Sequence, residues 1–169
     1  EANEQEQHWV QQVFAQMDKW QKSGIKAHPE LQYGLLFAPL IRSAAKDLES
    51  DDLSEHQALR EALFIFQKNL AERVLLPKRV SFHILDILSN QFRFLNRNST
   101  RATRFCARPF FRDALVFFKF DNLVNELGQE ELIREWTEDL KALPPQPKQQ
   151  RSGRRSGSRR PRQHRQRRN

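Results

Sequence analysis

After Pro147 the chain contains no hydrophobic residue at all. Lys148 to Asn169 therefore adds nothing to a core, and whatever folds must do so within the earlier part of a 169-residue chain. A segment that buries no apolar surface cannot offset the entropy of ordering its backbone. Residues 144–169 are accordingly expected to be a disordered Pro- and Arg-rich tail behind a body spanning 1–143. Pro144-Pro145-Gln146-Pro147 marks the join, because the residue before a proline is driven out of the helical region. The remaining length suffices for one medium domain with a core of its own.

That body is expected to be all-α, with about six helices, since apolar residues recur at 3.6-residue spacing and no convincing strand or repeat is present. Trp9, Val10, Val13, Phe14, Met17 and Trp20 make one stripe, and Gly24 is a plausible stop before a loop at His28-Pro29. Leu31 to Leu48 predicts a second helix, kinked or divided near Pro39, with Leu35, Leu36, Leu40, Ile41, Ala44 and Leu48 as its apolar set. Ser54 and Gln57 form a capping box ahead of Leu59, Leu63, Phe66 and Leu70. Pro77 suits a first helical position, and Val80, Ile84, Leu88, Phe92 and Leu95 predict one long helix after it. Ser99 is a candidate cap for a short helix to about Ala107. Pro109 opens the next helix, which buries Phe111, Leu115 and Phe118 and stops at Gly128. Leu132, Trp136, Leu140 and Leu143 define a last one.

Several classes of function are excluded or disfavoured. No apolar run approaches a membrane span. Glu1 to Gln7 is acidic and polar, unlike a secretory leader. The start at Glu1 rather than Met, with helical sequence following at once, fits a segment cut from a longer protein. A single cysteine, Cys106, rules out an internal disulfide and fits a reduced, cytoplasmic setting. Asp47, Glu49, Asp51, Asp52 and Glu55 cluster, but Asp52 and Glu55 sit where carboxylates complement a helix N-terminus. His8, His28, His56, His83 and His164 lack metal-ligand spacing, and no phosphate-binding Gly loop or nucleophile elbow occurs. No metal site, no cofactor and no catalytic residue is therefore expected here. Cys106 fits an inert buried thiol, the alternative being a thiol activated by Arg104 and Arg108.

Charge is where the chain departs from the ordinary. The net +8 hides segregation: residues 1–72 sum to −5, 73–119 to +8, 120–147 to −5 and 148–169 to +10. In the central block Arg97, Arg101, Arg104, Arg108 and Arg112 recur every three or four residues, with no acid between Asp86 and Asp113. Uninterrupted, that spacing would make one cationic stripe; the breaks at Asn98-Ser99 and Pro109 make it a bent basic surface. Lys78, Arg79 and Arg93 extend it. Unpartnered arginines repel one another, and a phosphate backbone removes that cost while accepting bidentate contacts. The competing reading is a solvated helix face neutralised by the acidic flanks. Phe105, Phe110, Phe111, Phe117, Phe118 and Phe120 lie among or after these arginines and are mostly expected in the core. In the tail Arg151, Arg154, Arg155, Arg159, Arg160, Arg162, Arg165, Arg167 and Arg168 alternate with Ser, Gly, Pro and Gln. Such an arm predicts salt-sensitive, sequence-poor binding of a polyanion, with RNA as the expected partner.

Leu35-Leu36-Phe37-Ala38-Pro39-Leu40, Leu76-Pro77-Lys78-Arg79, Arg97-Asn98-Ser99-Thr100-Arg101-Ala102 and Arg108-Pro109-Phe110-Phe111-Arg112-Asp113-Ala114, followed by the arginine tail, resemble the C-terminal region of bacterial poly(A) polymerases. The resemblance covers roughly residues 30–125 and the tail, and departs from the family at Arg108-Pro109, where His-Pro is usual. It implies an enzyme that adds AMP from ATP to RNA 3′ ends with two Mg²⁺ ions held by carboxylates of a catalytic head. That head would lie upstream of Glu1, since no counterpart of its Gly-Ser or Asp-x-Asp elements occurs here. The resemblance further implies that this body and tail hold single-stranded RNA 3′ ends through Lys78, Arg79, Arg97, Arg101, Arg108 and Arg112. The C-terminal body of a CCA-adding tRNA nucleotidyltransferase shares the helices but not the arginine tail. A stand-alone RNA-binding module and a protein-interaction scaffold are the other readings.

Overall fold

The computed structural model describes residues 2–49, 53–71 and 77–144. Residues 145–169 of the tail expected to be disordered, together with Asp51, Asp52 and Leu76, lie outside the described residues. The fold is all-α, with eight helices and no strand among the described residues: α1 (Ala2–Lys22), α2 (Pro29–Leu48), α3 (Glu55–Ala71), α4 (Lys78–Ser89), α5 (Gln91–Leu95), α6 (Ser99–Cys106), α7 (Phe111–Asn125) and α8 (Glu130–Ala142).

Two helices organise the packing. α2 contacts α1, α3, α4 and α7, while α7 contacts α2, α4, α5, α6 and α8. α7 is central because it is apolar on more than one side, burying Phe111, Ala114, Leu115, Phe117, Phe118 and Phe120. The expected core role of the phenylalanines holds, with Phe105 also buried and Phe110 half-buried against the core. Trp9 on α1 meets Phe117 and Phe120, and its indole N–H donates to Leu35 O at 2.7 Å, so the ring is buried without orphaning its donor. At the other end Phe94, Phe105, Phe111, Phe118 and Trp136 form a ring cluster, and Trp136 Nε1 donates to Phe94 O at 3.0 Å.

Several boundaries differ from the periodic pattern, each for a local reason. α2 runs unbroken through Pro39, so the helix is not divided there. Phe14 and Leu40, expected in apolar stripes, are exposed. Only part of the capping box forms: Gln57 Oε1 accepts from both Ser54 N (3.1 Å) and Ser54 Oγ (2.8 Å). Pro77 precedes α4 instead of opening it. Asn98, not Ser99, caps α6, its Oδ1 accepting from Thr100 N at 3.1 Å. α7 starts at Phe111, two residues after Pro109. It closes at Glu126, whose left-handed φ of 50° places the Leu127 N–H on Asn122 O, so the chain turns before Gly128. Asn122 holds that turn, accepting from Gln129 N and donating to Glu130 Oε1.

The largest departure lies in the long helix expected after Pro77. It breaks at Asn90 into α4 and α5, which adds to the helix number that periodicity suggests. Asn90 Nδ2 donates to Asp86 O and Gln91 Nε2 to Ile87 O, so side-chain amides satisfy carbonyls that a continued helix would have used. The break shifts the phase of the apolar face. Phe94 becomes fully buried, whereas Phe92 and Leu95, predicted to be inside, are 48% and 51% exposed.

Candidate nucleic-acid interface

Breaking the helix at Asn90 brings α5 beside α6 and α8, and a cavity of about 430 Å³ opens there. Arg93, Arg101, Arg104 and Arg108 line it, with Asn96, Asn98, Ala102, Phe92, Phe105 and Trp136. No carboxylate is in the lining. Arg101, Arg104 and Arg108 are exposed and have no ion pair with a described carboxylate within 4 Å. Four arginines thus border one small space, a concentration of positive charge that focuses anions. The Arg93 guanidinium carbon lies 5.8 Å from the Phe92 centroid and 5.6 Å from that of Phe105, within cation–π range.

The floor is rigid by construction. Phe105 and Trp136 are buried in the ring cluster. Arg97, which the spacing groups with its neighbours, is occupied elsewhere: Nε and Nη2 donate to Asp139 at 3.0 and 3.1 Å, and Nη1 lies 3.6 Å from Glu135. Its guanidinium also sits 5.7 Å over Trp136. It clamps α8 to the end of α5. Of the other predicted site residues, Lys78, Arg79 and Arg112 are exposed but do not line the cavity. Arg79 pairs with Glu30 at 3.1 Å. The nine tail arginines lie outside the described residues.

Sequence reasoning missed Phe92 and Asn96 as lining residues. Phe92 fits the apolar periodicity and so looks like core; only the Asn90 break turns it outward. Other groups pair in ways that spacing conceals. Asp113 Oδ2 accepts from His28 Nδ1 at 3.0 Å and from His83 Nε2 at 2.9 Å, and Arg42 pairs with Asp121 at 2.7 Å. Asp113 holds His28 above its ordinary value of 6.5 through that hydrogen bond and through charge. The Asp113 carboxylate thus bridges two imidazoles, tying the start of α2 and the middle of α4 to α7. No group of three or more His, Cys, Asp or Glu among the described residues is placed to hold a metal ion. Cys106 is buried, and burial pushes its thiol up to about 11, against the activated alternative; Arg104 and Arg108 do not offset this.

No helix among the described residues is long and apolar enough to cross a membrane. No curated protein matches the chain. A family model described as the polymerase A arginine-rich C-terminus matches residues 51–169, a span that takes in α3 to α8, the arginine cavity and the basic tail. The chain belongs to that family of arginine-rich polymerase A C-termini.

Proposed function

We propose that this chain is the RNA-holding C-terminal region of a bacterial poly(A) polymerase acting in the cytoplasm. The catalytic head, with the ATP and Mg²⁺ chemistry of AMP addition, belongs to the polypeptide upstream of Glu1. The observation that carries the reading is the convergence of Arg93, Arg101, Arg104 and Arg108 on one cavity with no carboxylate in its lining, within a chain of this family. A solvated, neutralised face would place acids among them. The acidic flanks do return in space, but to Arg97, Arg79 and Arg42. The body fixes the strand near the cavity, and the tail supplies long-range attraction that raises affinity and association rate.

Measuring affinity for single-stranded RNA across a salt series tests both parts. Deleting residues 148–169 should weaken binding and flatten the salt dependence, by about 0.7 in log K per log unit of salt for each phosphate that is no longer neutralised. In the tailless protein, replacing Arg101, Arg104 and Arg108 with Ala together should abolish most of the remaining affinity. Binding unchanged by the deletion would remove the tail from the mechanism. Binding unchanged by the triple replacement would reduce the cavity to a hydrated surface.

A further inference from the structure

We propose that the cavity between α5, α6 and α8 receives one unpaired nucleotide of the bound strand. Its base stacks on Phe92, and its adjoining phosphates lie on Arg101, Arg104 and Arg108. This rests on the RNA-holding reading above and adds a defined site to it.

Four observations converge. The cavity, about 430 Å³, falls within the range of small-ligand pockets. It combines rings with cationic donors, the pairing needed for a base and its phosphate. Phe92 is 48% exposed on the rim, although the other two rings of the lining, Phe105 and Trp136, are buried. A phenyl ring held at the mouth of a cationic cavity forgoes burial energy, and a stacked base would recover it. The Arg93 guanidinium lies 5.8 Å over one face of the ring, adding a second group on which a base can stack.

A further observation concerns the two rim amides, which are half-used. Asn96 Nδ2 donates to Phe92 O, leaving Oδ1 without a partner among the described residues. Asn98 Oδ1 accepts from Thr100 N and Oγ1, leaving Nδ2 likewise. Both residues line the cavity, which thus carries one unused amide acceptor and one unused amide donor for the hydrogen-bonding edge of a base. A duplex keeps its bases stacked inside and offers none to such a cavity. An acidic peptide would use the arginines but leave the ring idle.

The test uses the full chain and a single-stranded oligoadenylate carrying one 2-aminopurine, with inorganic polyphosphate and polyglutamate as polyanions that have no base. Phe92→Leu should weaken oligonucleotide binding about tenfold and reduce the fluorescence quench, leaving both other polyanions unaffected. Phe92→Tyr should retain both, since the ring is kept, and an unchanged melting curve shows that neither variant has lost its fold. If Phe92→Leu binds the oligonucleotide like the parent, or weakens polyphosphate or polyglutamate equally, the nucleotide site is wrong. The RNA-holding reading survives that result provided Arg101 and Arg104 still govern affinity. If the parent chain binds no RNA, the broader reading fails first.

Discussion

Arg97 shows how a residue's neighbours in sequence misstate its neighbours in space. It begins a run of arginines at helical spacing, and nothing in that run distinguishes it from Arg101 or Arg104. Its partners, Glu135 and Asp139, lie on α8, and only the docking of that helix brings them together. At a quarter exposed, the bidentate pair is shielded enough to matter, whereas Arg101 sits in water. Arg97→Ala should lower unfolding stability by about 2 kcal/mol, because it strands a half-buried Asp139. Arg101→Ala should change it by less than about 0.5 kcal/mol while weakening RNA binding more. Urea titrations of the two variants decide this; equal stabilities would return Arg97 to the surface group. The cationic character of the central block was legible from composition and spacing alone. Which arginine is structural was not, because that depends on long-range pairing.

At the level of elements, helices with strong periodicity and obvious stops matched their sequence signals. α1 ends at Lys22, and the chain turns at Gly24, whose φ of 68° lets the Ile25 N–H reach Trp20 O. The α4–α5 break was hidden because Phe92 and Leu95 continue the phase of Ile84 and Leu88, and asparagine inside a helix carries only a modest penalty. Amide side chains at Asn90 and Gln91 then make the break tolerable by taking the released carbonyls. α6 depends on a similar device. It has eight residues, too few to persist without a cap and tertiary contacts, and Asn98 supplies the cap. Asn98→Ala should therefore cost about 1 kcal/mol, and Asn98→Asp should restore most of it. Because Arg101 and Arg104 ride on α6, the alanine variant should also bind RNA more weakly. Identical melting temperatures for the parent and the alanine variant would show that packing against α7 and α8 holds α6 without its cap.

Across the whole molecule, acids of the flanking segments hold helices together, and among the described residues none of them makes an ion pair with a cavity arginine. The same kind of pairing joins α2, α4 and α7, where Asp113 takes hydrogen bonds from both His28 and His83, and Arg79 ties α4 back to Glu30 on α2. His28 is raised above 6.5 chiefly by its hydrogen bond to Asp113 and then by the charge of that carboxylate. A histidine raised in the folded state contributes stability that is complete below its unfolded value and is lost as pH climbs through the folded value. The melting-temperature gap between the parent and His28→Gln should accordingly be widest near about pH 5.5 and narrow by about pH 8. It should not vanish, because neutral His28 still donates from Nδ1. Glu30 acts in the opposite sense: its carboxyl is depressed below 4.5, first by its own backbone N–H and then by Arg79, so its contribution is lost only on stronger acidification. The two effects therefore separate along the pH axis. Since the imidazole is largely exposed, solvent screens the pair and the gap should shrink in high salt. A gap that widens with rising pH would mean that the Asp113 contact does not hold charged His28, and the polar ties at the junction of α2, α4 and α7 would then be those of His83 and Arg79.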